Sequence, residues 1–181
     1  MANKVKFGLS HCFYSVITEG TGGALTYATP VAWPGAVNLS MSASGETATF
    51  RADNSDYWVS TSNNGYEGTL ESALIPESFK TDVLGETTDS TSGYVVEKNN
   101  VQPKEFALLF QFEGDDKATR HVFYRCKATR PDVASQTTDT TITPVTETLN
   151  IRAIARISDG YVKARCEEGA TGYATFFDAV A

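Results

Sequence analysis

The sequence predicts a mainly β protein, and three observations support this fold class. The chain holds 14 Val, 6 Ile and 23 Thr against only 9 Leu, and β-branched side chains favour strands over helices. Eight Tyr, ten Phe and fourteen Gly are typical of many strands joined by tight turns. Alternating apolar and polar residues recur in about ten segments. The expected architecture is a β-sandwich or a partly closed barrel with hairpin connections.

The first part of the chain is a series of predicted short strands. In each strand the alternation gives one apolar face and one polar face. The turn at Asn63-Asn64-Gly65 is a strong one, because Asn and Gly tolerate positive φ. Strands are predicted over 5–9, 12–18, 37–42, 47–52, 57–61 and 67–74.

At Pro76 the pattern changes, and one short flanking helix is predicted over about 76–84. Proline suits the first turn of a helix, and Gly85 can end it in a left-handed conformation. Phe79 and Val83 are four residues apart, so they form one apolar stripe. Because two helical turns are not stable alone, this helix is expected to dock on a sheet.

The second half contains the clearest predicted hairpin. Four aromatic or aliphatic residues alternate over 106–112, a charged turn follows, and the chain returns over 122–128. The Thr- and Asp-rich segment over about 131–144 has little to bury, so it is predicted to be a long loop or an arm that orders on a partner. A strand over 147–157 follows, and the tail over 172–180 is expected to pack as a short helix or an extended clasp.

Charge and hydropathy exclude several classes of protein. The net charge is 15 − 22 = −7, which disfavours a protein that binds nucleic acid through contacts to its phosphate groups. No run of 18 apolar residues is present, and the N-terminus lacks the apolar core of a secretory signal. We therefore expect a single domain over 1–181 that stays in the cytoplasm where it is made, without a membrane partner.

Candidate chemistry is sparse. Cys12, Cys126 and Cys166 are widely spaced and odd in number, which favours three free thiols over a disulfide or a metal site. His11 and His121 lie in no recognisable nucleophile or metal motif, and neighbouring strand residues such as Ser10 and His11 are expected to point to opposite faces. The sequence predicts no enzyme, no metal and no cofactor.

Paired carboxylates were the remaining catalytic candidates. Glu67 and Glu71 share one strand face, but four residues at ~3.3 Å each separate them by about 13 Å. Glycosidase carboxyl pairs lie roughly 5 to 9.5 Å apart. A solvated acidic face is therefore the favoured interpretation.

Short motifs along nearly the whole chain carry a family resemblance. The most specific are KATRHV at 117–122 with ATRP at 128–131, and NGYEGTLE at 64–71 running into ALIP at 73–76. Further matches, in order, are KVKFGL at 4–9, PGAVNLS at 34–40, ADN at 52–54, TETL at 146–149 and DG at 159–160. Together they resemble the major tail proteins of long, non-contractile-tailed phages (siphophages) of Gram-positive bacteria.

This resemblance implies a structural virion protein. Members form a β-sandwich with a flanking helix and self-assemble into stacked hexameric rings, the tail tube through which the genome passes into the host. The implied partners are other copies of the chain, the tape measure protein and the tail terminator and initiator proteins, with double-stranded DNA passing transiently and without specific binding. The implied location is the virion tail, assembled in the host cytoplasm. No additional C-terminal immunoglobulin-like domain is expected, and a defective prophage or tailocin fits as well as a true virion.

Two sets of site residues follow from this hypothesis. Six copies would carry roughly 6 × −7 = −42 charges, and an acidic channel repels DNA phosphates. Glu67 and Glu71 are candidates for lining the channel, with the outside of the tube or a subunit seam as the alternative. The candidates for inter-subunit arms are Val133, Thr138, Thr141, Ile142, Phe176 and Phe177.

A β-sandwich that binds glycans or acts as an adhesin is the alternative function. Trp33, Trp58 and the many Tyr residues could stack on sugar rings, although Trp and Tyr are also frequent in cores and interfaces. A monomer that binds glycans would favour this alternative.

Overall fold

A computed structural model describes residues 5–114, 116–137 and 144–180. It is mainly β, with 45% strand and 7% helix, which confirms the predicted fold class at this coarse level. The strands are β1 (Leu9–Glu19), β2 (Leu25–Tyr27), β3 (Val31–Ala32), β4 (Ala36–Ala43), β5 (Thr47–Ala52), β6 (Ser55–Thr61), β7 (Tyr66–Ser72), β8 (Thr87–Thr88), β9 (Val95–Val96), β10 (Phe106–Phe112), β11 (Arg120–Ala128), β12 (Glu147–Ile154) and β13 (Lys163–Cys166).

One large antiparallel sheet organises the described residues. Its strand order is β2-β1-β10-β11-β12-β7-β4, with β3 also paired to β1 and β13 to β11. The sheet curls around its core, so that the edge strand β4 returns to lie near β1. Two further pairs, β5 with β6 and β8 with β9, stand as separate two-stranded ladders.

The predicted helix is confirmed, with a change of winding. It begins at Glu77–Phe79 (α1) and continues as one π-helical segment, Lys80–Leu84. Pro76 precedes the first turn, and Gly85 ends the last one at φ +79°. Phe79 and Val83 are both fully buried, as the four-residue spacing predicts.

Phe79 is central to an aromatic cluster that joins the helix to the sheet. Its ring centroid lies 5.1 Å from those of Tyr14 and Phe106 and 4.6 Å from that of Trp33. The Trp33 indole N–H donates a 2.8 Å hydrogen bond to the buried Ser72 hydroxyl. This cluster anchors the helix because edge-to-face ring pairs add to the gain from burying their apolar area.

The hairpin of β10 and β11 is buried on both faces, which alternation alone did not predict. Its register shifts between Phe106 and Leu108, so β11 carries a bulge. As a result Cys126 lies in the core beneath the helix, whereas Val122 and Tyr124 face the other side of the sheet. The C-terminal tail forms turns and covers that second face.

Several predicted boundaries were wrong. The predicted strand over 5–9 begins only at Leu9, because Gly8 has φ +70° and breaks the extended backbone. The predicted strand over 147–157 ends at Ile154, and Leu74 lies beyond the end of β7 and is 68% exposed. The Gly8 and Phe7 carbonyls still accept hydrogen bonds from the Glu113 and Gly114 N–H groups, so the segment before β1 is paired although it is not a regular strand.

Strands β4 to β7 form one long two-stranded ribbon. Its base, β4 with β7, belongs to the main sheet. Its distal half, β5 with β6, extends about 20 Å past the sheet at ~3.3 Å per residue and is called the distal ribbon, or β5–β6 ribbon, below. Gly65 lies at the junction with φ +93°, where a Cβ atom would stand 2.0 Å from the carbonyl oxygen of Ala153. Only glycine fits this junction.

Candidate assembly surfaces

A polar face covers four adjacent strands of the main sheet. Directly paired residues share a face, so the register defines rows that run from β4 through β7 to β12. The core rows include Leu39, Leu70 and Leu149, whereas the opposite rows contain hydroxyl, amide and charged side chains. The polar rows are Ser42, Glu67, Arg152 and Lys127; Ser40, Thr69 and Asn150; and Asn38, Glu71 and Thr148.

The two predicted channel-lining residues lie on this polar face. Glu67 is exposed, and Glu71 accepts a hydrogen bond from the Thr146 hydroxyl. Glu67 stands opposite Arg152, which in turn stands opposite Lys127. The face therefore combines two carboxylates with two cations. Sequence reasoning did not place either cation near Glu67, because only the register between distant strands brings these residues together.

The predicted arm residues fall into three groups. Val133 is fully exposed on an irregular segment. Phe176 and Phe177 pack on the chain's own sheet, where their ring centroids lie 5.7 Å apart and Phe177 lies 5.0 Å from Phe13. Contact of these three residues with a neighbouring subunit stays a prediction. Thr138, Thr141 and Ile142 lie outside the described residues.

The distal ribbon exposes aromatic residues instead of burying them. Phe50 and Trp58 are direct cross-strand partners and are 60% and 55% exposed. Tyr57 is 70% and Val59 is 54% exposed, and no residue of β5 or β6 belongs to either apolar core. Exposed aromatic residues that share one face, as Phe50 and Trp58 do, are typical of an interaction site.

The ribbon ends in a tight two-residue turn. Asp53 and Asn54 both have positive φ, at +50° and +56°, which is the conformation of a type I′ hairpin turn. The Ser55 hydroxyl donates to the Ala52 carbonyl at 3.1 Å, and Arg51 pairs with Asp56 at 3.2 Å. These local contacts hold the strands together while leaving both faces of the ribbon open.

The surroundings of the two histidines include one contact that the sequence pattern did not predict. His11 has φ +49° next to a bulge in β1, so its Nδ1 atom lies 3.1 Å from the Ser10 hydroxyl, a contact that simple alternation excluded. Its ring stacks on Phe177 at 6.1 Å. His121 instead stacks on Phe110 at 5.2 Å within the sheet.

The cysteines are free thiols, as predicted. Burial raises the pKa of the Cys12 thiol to about 12, and it raises the pKa of the fully buried Cys126 thiol further still. Both side chains are therefore protonated at neutral pH and act as small apolar residues. No group of three His, Cys, Asp or Glu side chains in the described ranges is placed to hold a metal ion.

The two tryptophans differ in accessibility. Trp33 is 3% exposed and its indole N–H is already bonded, so it is not available to stack on a sugar. Trp58 remains accessible on the ribbon. The predicted pair of sugar-stacking tryptophans is thus reduced to one.

No family model matches the chain, and no curated protein matches it either. In the part of the chain that is described, no helix is long and apolar enough to cross a membrane. The surfaces above and the motifs of the sequence are therefore the observations that bear on function.

Proposed function

We propose that this chain is a self-assembling structural protein. The observation that carries the proposal is the β5–β6 ribbon, which leaves Phe50, Tyr57 and Trp58 without a core of their own. Folding gains little from these side chains, since apolar area contributes only when it leaves water. Their burial requires another molecule, and a second copy of the same chain is the simplest one to supply.

More particularly, the assembly is a phage tail tube of stacked hexameric rings. The sequence motifs support this choice, and so does the polar face of β11, β12, β7 and β4. Six copies would pool 6 × 4 = 24 strands, and barrels of 16 to 18 strands already enclose an aqueous channel. The polar rows, including Glu67 and Glu71, would then line the channel.

Such a channel would conduct DNA without holding it. The polar rows carry Glu67 and Glu71 beside Arg152 and Lys127, and the chain as a whole carries a net charge of −7. An acidic chain disfavours the tight hold on phosphates that a strongly basic protein would have. The partners would be the tape measure protein inside the tube and the terminator and initiator proteins at its ends, all within the virion tail.

Electron microscopy of the concentrated protein, with light-scattering mass on the same sample, tests this function. Hollow rings or tubes built from units of about 118 kDa, six times 19.6 kDa, are expected. The double variant Phe50→Ser/Trp58→Ser should remain folded and lose assembly. Tyr94→Ser is the matched control, because Tyr94 is 73% exposed and lies outside the ribbon.

The result that would overturn the proposal is a wild-type protein that stays monomeric at high concentration, both alone and with added tube seeds. A glycan-array signal that depends on Trp58 in that monomer would establish the binding module instead.

A further inference from the structure

The curled sheet has an open end that forms an aromatic mouth. The mouth is a cavity of about 190 Å³ whose walls include Tyr66, Phe110, Phe112 and His121. The rings of Phe110, Phe112 and His121 contact one another in a triangle, with centroid distances of 5.2, 5.3 and 5.5 Å. The result is a concave apolar surface that opens to solvent beside the base of the ribbon.

Cations surround this mouth. The Lys6 ammonium lies 5.1 Å from the centroid of the Phe112 ring, and the Lys163 ammonium lies 4.3 Å from that of Tyr66. Arg165 is exposed and pairs in register with His121. Among the described residues, none of the side chains that line the cavity is acidic. In a chain with net charge −7, this end is thus locally positive.

The distal ribbon is complementary to the mouth in charge, and it also exposes aromatic side chains. Its two central aromatic residues, Phe50 and Trp58, are exposed, and its tip carries Asp53 and Asp56 against the single cation Arg51. Both members of the Arg51–Asp56 pair are more than half exposed, at 70% and 62%. An exposed ion pair is weak, so Asp56 can readily exchange its partner.

The ribbon of the same chain does not occupy the mouth. No residue of β5 or β6 lines the cavity, and the ribbon leaves the sheet after Ala43 and runs away from it. An occupant with this chemistry therefore has to come from another molecule.

We propose that the mouth of one copy receives the ribbon tip of a second copy. The aromatic side chains of the tip pack on the aromatic wall, and Asp53 and Asp56 lie close to Lys6 and Lys163. This inference rests on the proposed function, which supplies the second copy. The contact joins two different surfaces, so it is heterologous and generates a ring when the rotation between copies closes.

Charge reversal at the mouth is the first test. Lys163→Glu is expected to lower the assembled fraction at least tenfold, and Asp56→Lys in the same chain is expected to restore it. Lys98→Glu makes the same change of charge at an exposed lysine that does not line the mouth, and it should leave assembly intact. Circular dichroism and thermal melting of each monomer separate a folding defect from an assembly defect.

Zero-length cross-linking gives a second readout on unaltered protein. Equal amounts of ¹⁵N-labelled and unlabelled wild-type chains are mixed, assembled and treated with a carbodiimide, which couples ammonium and carboxylate groups in contact. We expect mixed-isotope peptides that join Lys6 or Lys163 to Asp53 or Asp56. The isotope mixture proves that the link runs between two copies.

The outcomes distinguish this inference from the proposed function. If wild-type tubes form but Lys163→Glu assembles normally and no such cross-links are found, the ribbon docks elsewhere and the inference is wrong while the tube stands. If Lys163→Glu does not assemble and Asp56→Lys does not restore assembly, the cross-links decide the question. Links from Lys6 or Lys163 to Asp53 or Asp56 support the inference, and their absence overturns it. If no wild-type assembly forms at all, both fail together.

Discussion

The β10–β11 hairpin and the β5–β6 ribbon are two antiparallel hairpins with opposite environments. In β10 six of seven residues are buried, because the helix covers one face and the C-terminal tail covers the other. In β6 every residue is exposed, although Tyr57, Trp58 and Val59 are as apolar as their counterparts. The difference lies in what packs on each hairpin, and nothing in the alternation itself encodes it.

This comparison explains why one hairpin holds the fold together and the other is available for assembly. Burial of apolar side chains in β10 stabilises the folded chain itself. The exposed apolar side chains of β6 contribute a comparable free energy only when a second molecule covers the ribbon. Substitutions in the two hairpins should therefore affect different equilibria.

Matched Phe→Ala substitutions give the largest expected contrast. Phe106→Ala removes a fully buried ring that contacts Phe79 at 5.1 Å, and it should lower the free energy of unfolding by about 3–5 kcal/mol. Phe50→Ala should change it by less than about 0.5 kcal/mol, since surface substitutions rarely do more. Urea denaturation of the monomers measures both, and equal losses would show that the ribbon is part of the core.

Thiol reactivity sharpens the same contrast. At pH 8 a disulfide reagent should react with Cys12 about a thousandfold more slowly than with an unburied thiol, because burial raises the pKa of Cys12 to about 12. The rate should rise about tenfold per pH unit up to that value. Val59→Cys in the ribbon supplies the comparison, since Val59 is 54% exposed. Fast labelling of Cys12 in the native monomer would contradict its burial.

The junction between ribbon and sheet should be sensitive to a single methyl group. Gly65→Ala would place a Cβ atom 2.0 Å from the Ala153 carbonyl oxygen, on a backbone with φ +93°. The free energy of unfolding should therefore fall by about 2 kcal/mol or more. Gly93→Ala is the control, because Gly93 has φ +73° and no atom within 4 Å of an added Cβ. Both variants place alanine at a positive φ, so the difference between their melting temperatures reports the steric clash at Gly65 alone. Equal decreases in melting temperature would show that the clash is absent.

The ribbon tip should give the smallest effect. Asn54→Gly places glycine at the second position of the type I′ turn, where φ is +56°, and should stabilise the ribbon slightly, because glycine adopts positive φ without strain. Amide hydrogen exchange in β5 and β6 should slow about two- to fivefold, while exchange in β10 stays unchanged. Faster exchange in the ribbon would mean that the turn is not of this type.

Prediction from sequence succeeded where contacts are local and failed where they are distant. Proline, glycine and the spacing of Phe79 and Val83 located the helix, since these act within a few residues. Strands were predicted around both Phe106 and Phe50, but the strand pattern did not show that the first is buried and the second is 60% exposed. The nearness of Arg152 and Lys127 to Glu67 was not predicted, because a pairing register between strands far apart in sequence brings these residues together.

The sequence by itself determined the mainly β character, the helix after Pro76, the hairpin of β10 and β11, and the sharing of one face by Glu67 and Glu71. Each of these depends on backbone preferences and side-chain periods that neighbouring residues set. Only the tertiary structure decided which apolar hairpin is buried, where the polar face extends and which end of the sheet stays open. Those properties depend on which strands and loops come together after long-range closure, and no local pattern carries that information.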